Sequence, residues 1–373
     1  MIYFDNAATS RTKPEVVYDA FNHYIRDIAV SPGRGSYSLG ITASRMLYQS
    51  RKTVSDFFGS PSPENIVFTK NSTEAINLFF NGFLKKGDHV LISCYEHNAV
   101  LRPLHSLKQE GVIDYTILPE YALYDDDCDL KEFVKSNTKL AAITLASNLT
   151  GQIVFSSSLA ERLKSYGLTV FVDASQGAGK KLLDMSCDSI DVLAFTGHKD
   201  LLGLPGVGGL CSVNDLRITP LIQGGTGIYG DSYVNPQAFP EAYEAGTLNM
   251  PAIWALKNAM EYINEHIAEM NKKESKLTQY LMKSMLELPN VVVYNADKSR
   301  VSTLAFNVKG KSSSDIVALL DKNGICVRGG IHCAILAHET LGTVETGAVR
   351  VSLNSYNTKD EIDAFIKVIG GIN

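Results

Sequence analysis

The chain has 373 residues, more than a single hydrophobic core readily organises, so two or more structural units are expected. With 45% hydrophobic and 20% charged residues it has the make-up of a globular protein, and its net charge of −5 leaves no basic surplus for gripping a phosphate backbone. Nucleic acid is thereby excluded as the main partner. No apolar run reaches the roughly 20 residues of a membrane-spanning helix; even residues 66–84 carry Lys70 and Glu74. Met1 to Asn6 lacks the basic and apolar regions of a secretory signal, so a cytoplasmic location is expected. Cys94, Cys128, Cys187, Cys211, Cys326 and Cys333 form no C-x-x-C pair and read as free thiols rather than disulfides or a metal site.

From about residue 65 to 215, short apolar runs alternate with amphipathic stretches. Strands are predicted at 66–69, 89–93, 113–118, 140–146, 169–172, 192–195 and 208–212, with helices at 72–84, 98–109, 130–135 and 157–166. Apolar strands separated by helices imply a mostly parallel sheet of seven strands buried on both faces, the core of an α/β unit. After Asn249 a long helix opens at Met250-Pro251 and continues to Lys272 or beyond. Strands at 291–294, 301–308, 325–328 and 349–353 and helices at 313–322 and 359–369 complete a smaller α+β unit. The predicted division is a large unit over residues 15–250 and a small one from residues 1–14 and 251–373, packed without a flexible linker.

Three strand ends carry the chemistry. The strand at 169–172 runs into Asp173-Ala174-Ser175-Gln176, which sets a carboxylate at the C-terminal edge of a parallel sheet, where α/β proteins bind ligands. Taken alone, Asp173 is as readily an exposed turn residue. The strand at 192–195 is followed by Thr196-Gly197-His198-Lys199 and then a glycine-rich stretch, Gly203 to Gly209. A lysine after a strand is ordinarily solvated, but this one follows a carboxylate at the preceding strand end. The third end, Thr69-Lys70-Asn71-Ser72-Thr73-Glu74, opens a helix with Ser72 or Thr73 as its cap, an arrangement that binds phosphate and that any capped helix shares. Pyridoxal phosphate needs a Schiff-base lysine, a carboxylate that keeps its pyridine nitrogen protonated, and a helix N-terminus for its phosphate.

With those residues in place, the sequence resembles the class-V, fold-type-I pyridoxal-phosphate enzymes, in particular the cysteine desulfurases and selenocysteine lyases. The resemblance runs from Tyr3-Phe4-Asp5-Asn6-Ala7-Ala8-Thr9-Ser10 to Tyr356-Asn357-Thr358. Between them lie Glu96-His97-Asn98, Ser147-Asn148, Glu244-Ala245-Gly246-Thr247, Arg328-Gly329-Gly330-Ile331-His332-Cys333 and Arg350-Val351-Ser352. It implies a fold-type-I transferase in which Lys199 forms the Schiff base, Asp173 pairs with the pyridine nitrogen, Gln176 bonds the ring hydroxyl and His97 stacks on the ring. Ser72, Thr73, Thr196 and His198 would hold the phosphate, and Thr247 would reach the phosphate of the neighbouring subunit in a homodimer. Asn148 and Arg350, with Arg328, would bind the substrate carboxylate, a task suited to the planar guanidinium fork.

Cys333 would be the nucleophile that takes sulfur from L-cysteine as a persulfide, leaving alanine, before an acceptor protein or small thiol collects it. Gly329 and Gly330 suit a mobile loop, and Arg328 and His332 suit a thiolate. The same cofactor site would also serve a selenocysteine lyase acting on L-selenocysteine, or a class-V aminotransferase or β-lyase. Three departures from the familiar pattern bear on the substrate and acceptor. Ile331 stands where a second histidine is usual, Tyr37 in Arg34-Gly35-Ser36-Tyr37 replaces a histidine, and Gln223-Gly224-Gly225-Thr226-Gly227 replaces Glu-Gly-Gly-Gly.

Overall fold

The computed structural model describes residues 1–372 apart from Arg34 and Tyr229, so the first residue of the Arg34–Tyr37 run lies outside the described residues. The chain opens with strand β1 (Ile2–Tyr3) and helices α1 (Glu15–His23) and α2 (Ser38–Phe58). An alternation follows: β2 (Ile66–Thr69), α3 (Ser72–Phe83), β3 (Asp88–Ser93), α4 (Asn98–Gln109), β4 (Ile113–Leu118) and α5 (Glu120–Tyr124). It continues through β5 (Thr138–Thr144), α6 (Ser157–Ser165), β6 (Thr169–Asp173), β7 (Val192–Thr196) and β8 (Gly208–Ser212). Strands β2 to β8 form one sheet in the order β2-β8-β7-β6-β5-β3-β4, in which β8 alone runs against its neighbours. The central strands are buried along nearly their whole length, as strands covered on both faces must be.

The glycine-rich stretch has a packing reason. A Cβ on Gly208 would stand 2.6 Å from Phe195 O and 2.7 Å from Asn71 C, so only glycine lets β8 pass this close to the start of α3.

Next comes the long helix α7 (Met250–Leu286), followed by β9 (Val291–Val293), β10 (Thr303–Val308), α8 (Ser313–Lys322) and β11 (Ile325–Cys326). Strand β12 (Arg328–Gly330), α9 (Ile335–Leu341), β13 (Ala348–Ser352) and α10 (Lys359–Gly370) complete the chain. β12, β13, β10 and β9 form an antiparallel sheet in that order, while β11 pairs with β1 in parallel. The first half of α7 buries Ile253, Leu256, Met260 and Ile263 in the core of the large sheet. Its second half buries Leu277, Leu281 and Met285 beside Phe4, Phe306 and Phe365 of the small one. Among the described residues, no helix is long and apolar enough to cross a membrane.

Several expected elements shift. Helix 130–135 shrinks to one 3-10 turn over Leu130–Glu132, with the Asp129 side chain capping its N-terminus by accepting from Lys131 N. The strand expected at 325–328 breaks at Val327 into β11 and β12, which join different sheets. The strand expected from 301 begins at Thr303. Helix α3 is capped by Asn71, whose side chain accepts from Glu74 N at 2.9 Å, rather than by Ser72 or Thr73. Ser72 Oγ instead accepts from Ser175 Oγ at 2.7 Å and donates to Asp173 Oδ1 at 3.4 Å.

Candidate active site

The C-terminal ends of β5, β6 and β7 meet the N-termini of α3 and α4 around a cavity of about 90 Å³. Asp173 ends β6, Thr196 ends β7, and His198 and Lys199 follow in the next turn. Ser72 and Thr73 come from the first turn of α3, His97 from the cap of α4, and Asn148 and Gln176 from the loops after β5 and β6. All nine of these sequence-predicted residues line this one cavity.

Their electrostatics suit a ring-binding site. Burial lowers the pKa of Lys199, with Arg350 pushing the same way and Asp173 opposing, so its amine is more readily neutral than a surface lysine. Asp173 Oδ1 accepts from Ser175 N at 3.0 Å and Ser175 Oγ at 2.5 Å, contacts that leave Oδ2 for a ligand. Burial and the charge of Lys199 drop His97 to about 4. Its Nδ1 accepts from Ala99 N at 3.0 Å, so the neutral ring carries its proton on Nε2. The helix-capping and ring-stacking roles are thus open to the same side chain. Below it, Glu96 is fully buried and raised to about 8, chiefly by desolvation; Oε1 accepts from Thr144 N at 2.7 Å, and Oε2 has no partner.

The cavity's anion-binding end is the N-terminus of α3, where unpaired backbone N–H groups favour negative charge. Thr196 Oγ1 is buried there without a hydrogen-bond partner, as a phosphate ligand would be before its anion arrives. His198 is turned toward the N-terminal segment, with Nδ1 3.0 Å from Thr9 Oγ1, and burial lowers it to about 4, so it offers a neutral ring rather than a positive charge. A lysine amine, a free carboxylate oxygen, a flat neutral imidazole and an anion cradle fit pyridoxal phosphate.

The remaining predicted residues lie around this cavity rather than on its wall. Arg350, on β13, is 1% exposed; Nη2 donates to Asp5 Oδ1 at 2.6 Å and Nη1 to Asn148 O at 2.9 Å. Arg328, exposed on β12, stands opposite Arg350 in register. Cys333 is half-buried on a tight turn in which both it and His332 have φ of 55°. That turn is tied down: Asn148 Nδ2 donates to His332 O at 2.7 Å, and Asn98 N donates to Cys333 O at 2.8 Å. The glycines had suggested a mobile loop; the hydrogen bonds hold it against the start of α4. Burial lowers His332 to about 3 and its Nε2 lies 2.9 Å from Ala348 O, so it brings no positive charge to the thiol. Thr247 lines a separate cavity of about 360 Å³ with Thr69, Lys70 and Glu74. Within one chain it does not meet Lys199.

One group of site residues went unassigned from sequence. Residues 5–10 cross the site as a strap: Asp5 holds Arg350, Ala7 O accepts from Gln176 Nε2 at 2.8 Å, and Ser10 N donates to His198 O at 3.0 Å. The signal was the run Tyr3-Phe4-Asp5-Asn6-Ala7-Ala8-Thr9-Ser10, which carried the resemblance but to which no role was assigned.

The chain is similar to known proteins along nearly its whole length. The probable cysteine desulfurase of Methanothermobacter thermautotrophicus is 34% identical over 370 residues, covering 97% of this chain and 92% of that protein. The cysteine desulfurase of Yersinia pseudotuberculosis is 30% identical over 379 residues, covering 98% of this chain and 92% of its own. Among solved structures, the apo cysteine desulfurase of Thermococcus onnurineus superposes with a TM-score of 0.90 at 32% identity, covering 99% of this chain and 94% of that one. An S-sulfonic acid form of an Escherichia coli cysteine desulfurase gives 0.87 at 29% identity, covering 98% and 93%. The aminotransferase class-V pattern matches residues 2–365, and the chain belongs to that family.

Proposed function

We propose that the chain is a pyridoxal-phosphate-dependent cysteine desulfurase that converts L-cysteine to L-alanine and carries the sulfur away on Cys333. The observation behind this reading is the Cys333 turn, whose carbonyl is bonded to Asn98 N, one residue from His97 on the wall of the Lys199–Asp173 cavity. When bound, the cofactor supplies a conjugated ring that stores the electron pair left as the substrate α-proton departs. Lys199 would anchor it, and its neutral amine would take that proton. Asp173 Oδ2 would keep the ring nitrogen protonated, His97 would cover a ring face, and Gln176 would hold the ring hydroxyl. Ser72, Thr73, Thr196 and His198 would hold the phosphate.

Asn148 and Arg350, with Arg328 outside them, orient the substrate carboxylate. The Cys333 thiolate attacks the substrate sulfur, so the carbon–sulfur bond breaks, a sulfur–sulfur bond forms, and the carbon product gains a proton to become alanine. The persulfide then passes to a thiol acceptor. A homodimer would bring Thr247 of one subunit to the phosphate of the other.

Two substitutions test the assignment. Lys199→Ala should abolish the cofactor's anchored absorbance. Cys333→Ala should keep it yet lose sulfide release, and mass spectrometry of the cysteine-treated wild type should find the extra sulfur on Cys333. Sulfur release by Cys333→Ala at the wild-type rate would remove Cys333 from the mechanism.

A further inference from the structure

A buried guanidinium needs compensation, and the structure shows what compensates Arg350. Its side chain is 2% exposed and that of its ion-pair partner Asp5 is 19% exposed, with Nη2 and Oδ1 at 2.6 Å. Nη1 is taken by Asn148 O, and Nε has no partner. Asp5 cannot drift away. It bridges to Ser352, two residues along β13 from Arg350, while Asn6 Nδ2 donates to Ser352 O at 3.0 Å and Ala7 N to Ser352 Oγ at 2.8 Å. The chain's own carboxylate therefore sits, firmly held, on the fork that would receive a substrate carboxylate.

We propose that Asp5 is a specificity-determining positioning residue, which competes with the substrate's α-carboxylate for the Arg350 fork and so sets how tightly the amino acid is held. The inference rests on the desulfurase reading of the site. A second carboxylate arriving at Arg350 takes N–H groups that Asp5 leaves over and meets the repulsion of the first. Asp5 thus keeps a buried cation neutralised while the site is empty, and weakens the hold on product once alanine has formed. A residue that merely aimed Arg350 would have the opposite effect, since its loss would loosen carboxylate binding.

Asp5→Asn separates the two, because it keeps the shape and the accepting oxygen and removes only the charge. The holoenzyme is titrated with L-alanine, the unreactive product, and with alaninamide, which lacks the carboxylate charge; KM for L-cysteine is measured alongside. D5N should bind alanine about tenfold more tightly than wild type and lower KM in step, while alaninamide binds both alike and Asp5→Glu, which keeps the charge, does not tighten alanine binding. Unchanged or weaker alanine binding in D5N, or equal tightening of alaninamide, overturns the proposal. Wild-type protein that binds neither cysteine nor alanine refutes the desulfurase reading instead.

Discussion

At His97 a single ring closes the N-terminus of α4 and covers the cavity, and it manages both because burial keeps it neutral, at about 4. His198, also about 4, and His332, about 3, are depressed by the same cause. Each binds a proton less readily folded than unfolded, so the stability each contributes is complete above about pH 6.5 and is lost as the pH falls through 4. The melting temperature of the cofactor-free protein should therefore drop over that acid range; a flat profile down to pH 4 would contradict it. Glu96 has the reverse sign. Raised to about 8, it stays protonated in the fold while the unfolded carboxyl ionises above about 4.5, so its stabilisation fades as the pH climbs through 8. Glu96→Gln keeps an oxygen for Thr144 N without a titrating proton. The stability gap between variant and wild type should move in the variant's favour by a few degrees between about pH 5 and pH 8. A gap that stays constant across that range would mean Glu96 is ionised in the fold.

Between elements, a buried charge cluster lies in the turn that follows Lys199. Lys180 Nζ lies 3.0 Å from Asp200 Oδ1 and 3.2 Å from Glu274 Oε2, and it donates to Ser302 Oγ at 2.5 Å and Leu353 O at 3.1 Å. Asp200 Oδ2 accepts from Gly177 N at 2.9 Å. One ammonium thus joins the turn after Lys199, the turn after Gln176, α7 and the approach to β10. Lys180→Met should cost about 3–5 kcal/mol in urea unfolding, because two buried carboxylates lose their cation. Thr358→Ala, which removes the capping box of α10, should cost only about 1 kcal/mol; equal losses would mean that the cluster is solvated. None of this was legible in the sequence, since Lys180 and Glu274 are far apart along the chain and each alone looks like a surface charge. Helix α2 was missed for a related reason. Ala43, Met46, Val54 and Phe58 mark its inner face, but Ser50 and Arg51 interrupt the stripe, and Arg51 is buried only because Glu244 meets it at 2.5 Å. The strands of the large sheet were legible because burial on both faces demands unbroken apolar runs.

For the whole molecule, the same logic explains why most of the cavity could be read and its surroundings could not. Asp173, Thr196 and Lys199 follow directly from strand ends, where the topology of a parallel sheet collects ligand-binding residues. The strap of residues 5–10 and the Cys333 turn owe their positions to contacts with parts of the chain hundreds of residues away, which local pattern does not record. Those contacts make the site a junction: α3, α4, three strand ends, the strap and the start of the small sheet all reach the cavity or the residues around it. A cofactor bound there holds all of them together and binds only the folded state, so it should stabilise the fold by mass action, by about 4 kcal/mol when present at about a thousandfold its dissociation constant. Protein stripped of pyridoxal phosphate should melt several degrees lower and recover when the cofactor is restored. Lys199→Ala should recover only part of that difference, since Asp173 and the α3 N-terminus would still hold the ring and phosphate without the covalent anchor. If added pyridoxal phosphate left the melting temperature of the stripped wild type unmoved, this cavity would not be where the cofactor binds.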